Sequence, residues 1–139
     1  MKKNIFSPAV LLISGFLVFS ILSGFNDMQP RKPWPVPAVD NNKKNPVAAD
    51  AQGLATGKAL YTTHCKSCHG AKGLGDGPKS AQLKTEAGNF STADFQSQTD
   101  GAIFYKSSVG RDDMPSFKKK IADEDDRWSL VKYIRTLKK

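Results

Sequence analysis

Cys65-Lys66-Ser67-Cys68-His69 is the stretch on which the fold turns. It contains both of the chain's cysteines, and one pair three positions apart cannot staple a fold, so a disulfide framework is excluded. Two thiols on roughly one helical turn, followed at once by an imidazole, leave three chemistries to weigh. A structural zinc site normally takes four protein ligands, and His64, the other histidine, does not complete one. A thioredoxin-type redox pair expects a βαβ setting, whereas strand signals here are weak throughout. The third is attachment of a c-type haem. Each thiol adds to one of the haem's two vinyl groups, and the adjacent His69 comes up beneath the iron as the proximal ligand. One such motif predicts one haem c, held by two thioethers.

The pattern around the motif is helical. Asp50 can cap a helix running to about His64, with Leu54, Leu60 and Tyr61 on its inner side. A glycine-rich loop, Gly73-Leu74-Gly75-Asp76-Gly77-Pro78, follows the motif. A short helix is expected near 100–109, with Asp100 as its cap, Ile103 and Phe104 as apolar residues and Gly110 to end it. The last helix has Asp123 to Asp126 as cap and acidic first turn, and Lys138 and Lys139 complement its dipole at the far end. Trp128, Val131, Ile134 and Leu137 recur along it with helical spacing. These elements belong to a domain over 51–139, small enough that a core of protein alone is marginal.

The sixth iron ligand follows by elimination. Of the three methionines, Met1, Met28 and Met114, only Met114 lies in the domain downstream of the motif. A lone methionine is usually core filler, but this one sits in Gly110-Arg111-Asp112-Asp113-Met114-Pro115, among charges and beside a proline, where a loop ligand is at home. His64 directly precedes Cys65, on the wrong side to reach the distal face, and reads as an exposed, ordinary histidine.

Over residues 51–139 the chain resembles the class I cytochromes c. Besides the haem motif and the Met-Pro loop, Gly57 and Tyr61 stand eight and four residues before Cys65, where that family places a small residue and an aromatic on its first helix. Leu130 and Tyr133 stand where the family's last helix packs against them. The resemblance implies an all-α cytochrome c fold around one covalently attached haem, with Cys65 and Cys68 as attachment points and His69 and Met114 as axial ligands. It also implies a proline carbonyl that orients the ligating histidine, for which Pro78 is the candidate.

Histidine–methionine ligation raises the reduction potential, because the soft thioether favours ferrous iron. A filled coordination sphere leaves no open position for a substrate, so the expected task is one-electron transfer and not catalysis. Lys66, Lys72, Lys79, Lys84 and Lys118-Lys119-Lys120 offer a basic rim near the haem edge for steering acidic redox partners. Arg111 reads either as a partner of a haem propionate or as a surface residue.

The chain begins Met1-Lys2-Lys3, and residues 5–25 are then uncharged and mostly apolar. As a helix that run extends roughly 31 Å, close to the hydrocarbon thickness of a bilayer, and it is longer than the apolar part of a secretory signal. An anchor retained in the membrane is therefore favoured over a cleaved signal that leaves a soluble periplasmic protein. Either way, the remainder is exported to the periplasmic side of the bacterial inner membrane. Residues 26–50 hold five of the eight prolines and read as a semi-rigid tether. Within it, Trp34 reads either as a docking or interfacial contact or as a residue packed loosely on the domain. The tether plus haem domain looks most like small bacterial membrane-associated respiratory cytochromes. The leading expectation is a carrier between a quinol-oxidising complex and a terminal oxidase or reductase. The alternatives are a fixed cytochrome subunit of a larger respiratory complex and, well behind, a haem-based sensor. The formal net charge of +8 does not point to nucleic acid, because export and the lack of a clustered basic helix argue against it.

Overall fold

The computed structural model describes residues 33–139. The candidate membrane segment 5–25, the first part of the tether, Met1 and Met28 lie outside the described residues. The order is α1 (Ala38–Asn41), α2 (Ala51–His64), α3 (Lys66–His69), a 3-10 turn (Ser80–Gln82), α4 (Ala93–Gln96), α5 (Asp100–Val109) and α6 (Glu124–Arg135). Among the described residues there is no strand, only an isolated antiparallel bridge between Arg111 and Met114. The fold is all-α, as expected. Among the same residues, no helix is long and apolar enough to cross a membrane.

Local chemistry sets the helix starts. The Asp50 carboxylate accepts from the Gly53 N–H at 2.8 Å, and that of Asp123 accepts from Asp125 and Asp126 at 2.8 and 3.1 Å. Each occupies N–H groups that a helix cannot satisfy internally. For α5 the cap is Thr99, not Asp100: the Thr99 hydroxyl accepts from the Ala102 N–H at 3.0 Å. Asp100 lies in the first turn and pairs with Arg135 at 2.8 Å. At the far end α6 stops at Arg135, so Lys132 and Arg135 complement its dipole, while Lys138 and Lys139 lie beyond the helix.

Helices α2 and α6 cross in close contact. A Cβ at Gly57 would lie 2.2 Å from the Ser129 carbonyl oxygen and 2.9 Å from the Tyr133 Cβ. Only a glycine permits that approach, and beside it the Tyr61 and Tyr133 rings pack at 5.2 Å. Leu130 is buried there, as the family resemblance implied. On α2 the buried residues are Gly53, Gly57 and Tyr61; Leu60 packs against the core cluster as expected, while Leu54 is half-buried and is not among the residues of that cluster. Two helix backbones this close leave no room between them for a leucine side chain. Beyond the crossing, Trp128 stacks on Phe104 of α5 at 3.8 Å between ring centroids. Val131 is wholly buried and Ile134 nearly so. Burying such side chains contributes about 1.5–3 kcal/mol each.

From Pro33 onward the proline-rich stretch lies on the domain as a strap. Asn41 accepts through its carbonyl from the Thr99 hydroxyl at 2.7 Å, and a Cβ at Gly101 would meet the Asp40 carbonyl at 2.1 Å. Further along, the Asn45 amide donates to the Trp128 carbonyl at 3.1 Å, and Val47 packs at the edge of the core.

Candidate haem site

Cys65 ends α2, and α3, a single turn, carries Lys66 to His69. A helix this short leaves most of its carbonyls without helical partners. The glycine-rich loop supplies them. Lys79 N donates to Ser67 O at 2.9 Å, Gly77 N to Cys68 O at 3.1 Å and Gly75 N to His69 O at 2.9 Å. From the other side the buried Tyr61 hydroxyl donates to Gly70 O at 2.6 Å. The motif is thus gripped by the loop that follows it and by the helix that precedes it.

Both cysteines are free thiols. Cys65 is buried, and desolvation, followed by the neighbouring Cys68, pushes its thiol up to about 12. A redox-active cysteine is normally shifted the other way, towards the thiolate, so the dithiol-redox reading loses support. No group of three or more His, Cys, Asp or Glu that could hold a metal ion occurs among the described residues.

His69 Nδ1 faces the Gly88 carbonyl at 3.2 Å. A carbonyl only accepts, so Nδ1 carries the proton in this contact, and in the neutral ring the lone pair is then on Nε2. That arrangement is the usual one for a metal-ligating imidazole held by an outer hydrogen bond. It also corrects the expectation for Pro78, which is exposed: the carbonyl at Nδ1 comes from Gly88, later in the same excursion. Phe90 stacks on the imidazole at 4.2 Å and 25°, and its own N–H donates to Gly73 O. Neither Gly88 nor Phe90 was marked by sequence reasoning. The nearby turn signal is Asn89, whose side chain accepts from the Ser91 N–H at 2.9 Å.

Met114 is half-buried and packs against the same apolar cluster that contains Cys65 and Phe117. It closes a tight hairpin. Arg111 N donates to Met114 O at 2.8 Å and Met114 N to Arg111 O at 2.9 Å, with Asp112 in the left-handed region at φ 51°. The Asp113 carboxylate reaches across to accept from Lys84 N at 2.7 Å and Thr85 N at 3.1 Å, which fastens the hairpin to the segment after the motif. His64 is half-buried and not exposed as expected, because its ring packs 5.7 Å from that of the buried Phe117. The seven lysines of the expected rim are all exposed. Arg111 lies over the Trp34 ring at 4.4 Å.

This donor set fits a covalently held haem. There are two free thiols for two vinyl groups, an imidazole with its outer nitrogen engaged, and a thioether on a loop bordering the same apolar cluster. A family model described as Cytochrome c matches residues 54–138. Among solved structures, a chain of the Kuenenia stuttgartiensis reducing HAO-like protein complex Kustc0457/Kustc0458 superposes with a TM-score of 0.63 at 27% identity, over 78% of this chain and 52% of its own. The present chain therefore spans about half the length of that relative. The KustC0563 c-type cytochrome aligns with a TM-score of 0.51 at 28% identity, over 60% of this chain and 98% of its own. No curated protein matches the sequence.

Proposed function

This chain belongs to the cytochrome c family, in class I, and on that premise we propose that it is a one-electron carrier with a single haem c ligated by His69 and Met114. A cytochrome c domain implies covalently bound haem c, and when bound the group supplies a reversible ferric–ferrous couple. The rest is done by the protein. Cys65 and Cys68 hold the group through thioethers, and the Gly88 carbonyl keeps His69 in one tautomer and orientation. Met114 would supply the second protein ligand to the iron, which would close the site to substrates and water and make electron transfer the task. The observation that carries the reading is the engaged Nδ1 of His69 directly after two free thiols. The exposed lysines provide the docking rim for acidic redox partners. Residues 5–25 anchor the domain on the periplasmic side of the bacterial inner membrane, where it links a quinol-oxidising complex to a terminal oxidase or reductase.

The ligation is tested by oxidised-state spectroscopy. The long-wavelength sulfur-to-iron charge-transfer band is expected in the wild type and absent in Met114→Ala. Its absence from the wild type, or its survival in the variant, sinks the assignment. A second reading is favoured by the structural relative that is part of a protein complex: here the chain is a fixed cytochrome subunit. Native mass spectrometry after extraction in mild detergent separates the two. A free monomer supports the carrier, and a stoichiometric assembly supports the subunit.

A further inference from the structure

The first described residues of the strap, Pro33 and Trp34, lie beside the hairpin that carries Met114, in contact with it through a hydrogen bond and a cation on an aromatic face. Arg111 forms one side of that hairpin, bonded through both of its backbone groups to Met114. Its side chain points to the strap: Nη1 donates to the Pro33 carbonyl at 2.9 Å, and the guanidinium lies 4.4 Å from the centre of the Trp34 ring. Lys106 of α5 approaches the same ring at 5.8 Å, while its Nζ donates to Gln98 Oε1. The half-buried indole is thus shared by two cations, one on the ligand hairpin and one on a core helix. The strap is itself fixed behind Trp34, through Asn41 to Thr99 and Asn45 to Trp128. The hairpin is therefore held on two sides, by Asp113 against residues 84–85 and by Arg111 against the strap.

We infer that Trp34 and Arg111 are positioning residues for Met114: the N-terminal strap clamps the hairpin shut and sets how readily the thioether leaves the iron. The inference rests on the reading of Met114 as the axial ligand. Physically, an exogenous ligand binds only molecules whose hairpin has opened, so its apparent affinity scales with the open fraction. A cation–π contact removed from the closed state raises that fraction directly.

The test uses the haem-loaded full chain and imidazole as the competing ligand, followed through loss of the charge-transfer band. Trp34→Ala is expected to tighten apparent imidazole binding about fivefold, which is about 1 kcal/mol at 1.4 kcal/mol per tenfold. Arg111→Ala, which also loses the bond to the Pro33 carbonyl, should shift it at least as far, with the double variant shifted less than the sum of the two single ones. Trp34→Phe keeps a ring beneath the guanidinium and should recover most of the wild-type value. Arg111→Lys keeps the charge but loses the planar stack, and should fall between. Wild-type imidazole affinity in both alanine variants overturns the clamp, even if their unfolding midpoints drop, because the strap would then be structural only. A wild-type spectrum without the charge-transfer band overturns the ligation reading and the clamp with it, a result distinct from the first.

Discussion

Gly57→Ala is the sharpest single test of the helix crossing that presents the haem motif. The added Cβ would sit 2.2 Å from the Ser129 carbonyl oxygen and 2.8 Å from its carbon, where carbon–oxygen contacts ordinarily begin at about 3.3 Å. The obstacle is backbone on α6, so no rotamer change relieves it, and the helices must part by roughly 1 Å. A gap of that size forfeits a quarter to a half of each dispersion contact along the seam, beside Tyr61 and Leu130, each about 1% exposed. A cost of about 3 kcal/mol, at the upper end for overpacking, is appropriate. Against it stands about 1 kcal/mol gained in helix propensity on leaving glycine. The net loss is then about 2 kcal/mol, or roughly 8–16 °C in midpoint for a domain of this size. Thermal unfolding of the haem-loaded protein by far-ultraviolet circular dichroism measures it. Gly53→Ala is the control on the same helix. Its Cβ would meet Ala48 O at 3.1 Å and the Asp50 side chain at 3.3 Å, so tenths of an ångström suffice and the change should stay within about 1 kcal/mol of wild type. If Gly57→Ala matches or exceeds wild-type stability, the close crossing is wrong.

Other perturbations follow from the same geometry. Asp113→Ala releases the Lys84 and Thr85 N–H groups to water and should raise apparent imidazole affinity roughly tenfold, the equivalent of about 1–2 kcal/mol of charge-assisted hydrogen bonding; Asp113→Asn, which keeps an acceptor, should recover part of it. Tyr61→Phe should cost about 1 kcal/mol at neutral pH by deleting the bond to Gly70 O. Burial holds the folded Tyr61 phenol above its ordinary value, so above about pH 10 the unfolded chain loses a proton that the folded one keeps. Wild-type stability then falls relative to the variant by at most about 1.4 kcal/mol per pH unit. Urea unfolding at neutral and alkaline pH checks the sign, and a penalty that grew with pH would refute it. Cys65→Ser and Cys68→Ser should each retain haem through the other thioether, whereas the double variant should release it on denaturation; intact mass spectrometry under denaturing conditions reads this directly.

The legible part of the fold is the part written in short-range side-chain chemistry. Asp50 and Asp123 announce their helices because a cap acts within three residues of itself. The haem motif is legible for the same reason, its three groups lying within one and a half turns. Met114 stood out because the domain offered no other thioether downstream. Where expectation slipped, a distant partner had intervened. Asp100 looked like the cap of α5, but Arg135, 35 positions away, takes its carboxylate, and Thr99 caps instead. Leu60 packs on the core as the apolar period of α2 suggested and Leu54 does not, while the closest approach falls on Gly57, where the α6 backbone leaves no room for a side chain.

The unread features share a physical cause. The partner of His69 is the carbonyl of Gly88, Gly57 faces that of Ser129, Arg111 reaches that of Pro33 and Asn45 that of Trp128. Any residue supplies a carbonyl, so nothing in composition or spacing marks which one will be used. The strap was hidden in this way: its prolines read as an extended tether, while most of its hydrogen bonds to the domain have a backbone oxygen at one end, as at Pro33, Asn41 and Trp128. The donors, by contrast, are identifiable side chains, and they are where mutagenesis has leverage. Replacing Pro33 or Gly88 leaves the carbonyl in place, whereas replacing Arg111 or Asn45 removes the contact. A substitution series confined to the prolines would therefore underestimate the strap's grip on the domain, and the decisive variants lie at the donating side chains, Arg111 on the ligand hairpin and Asn45 in the strap itself.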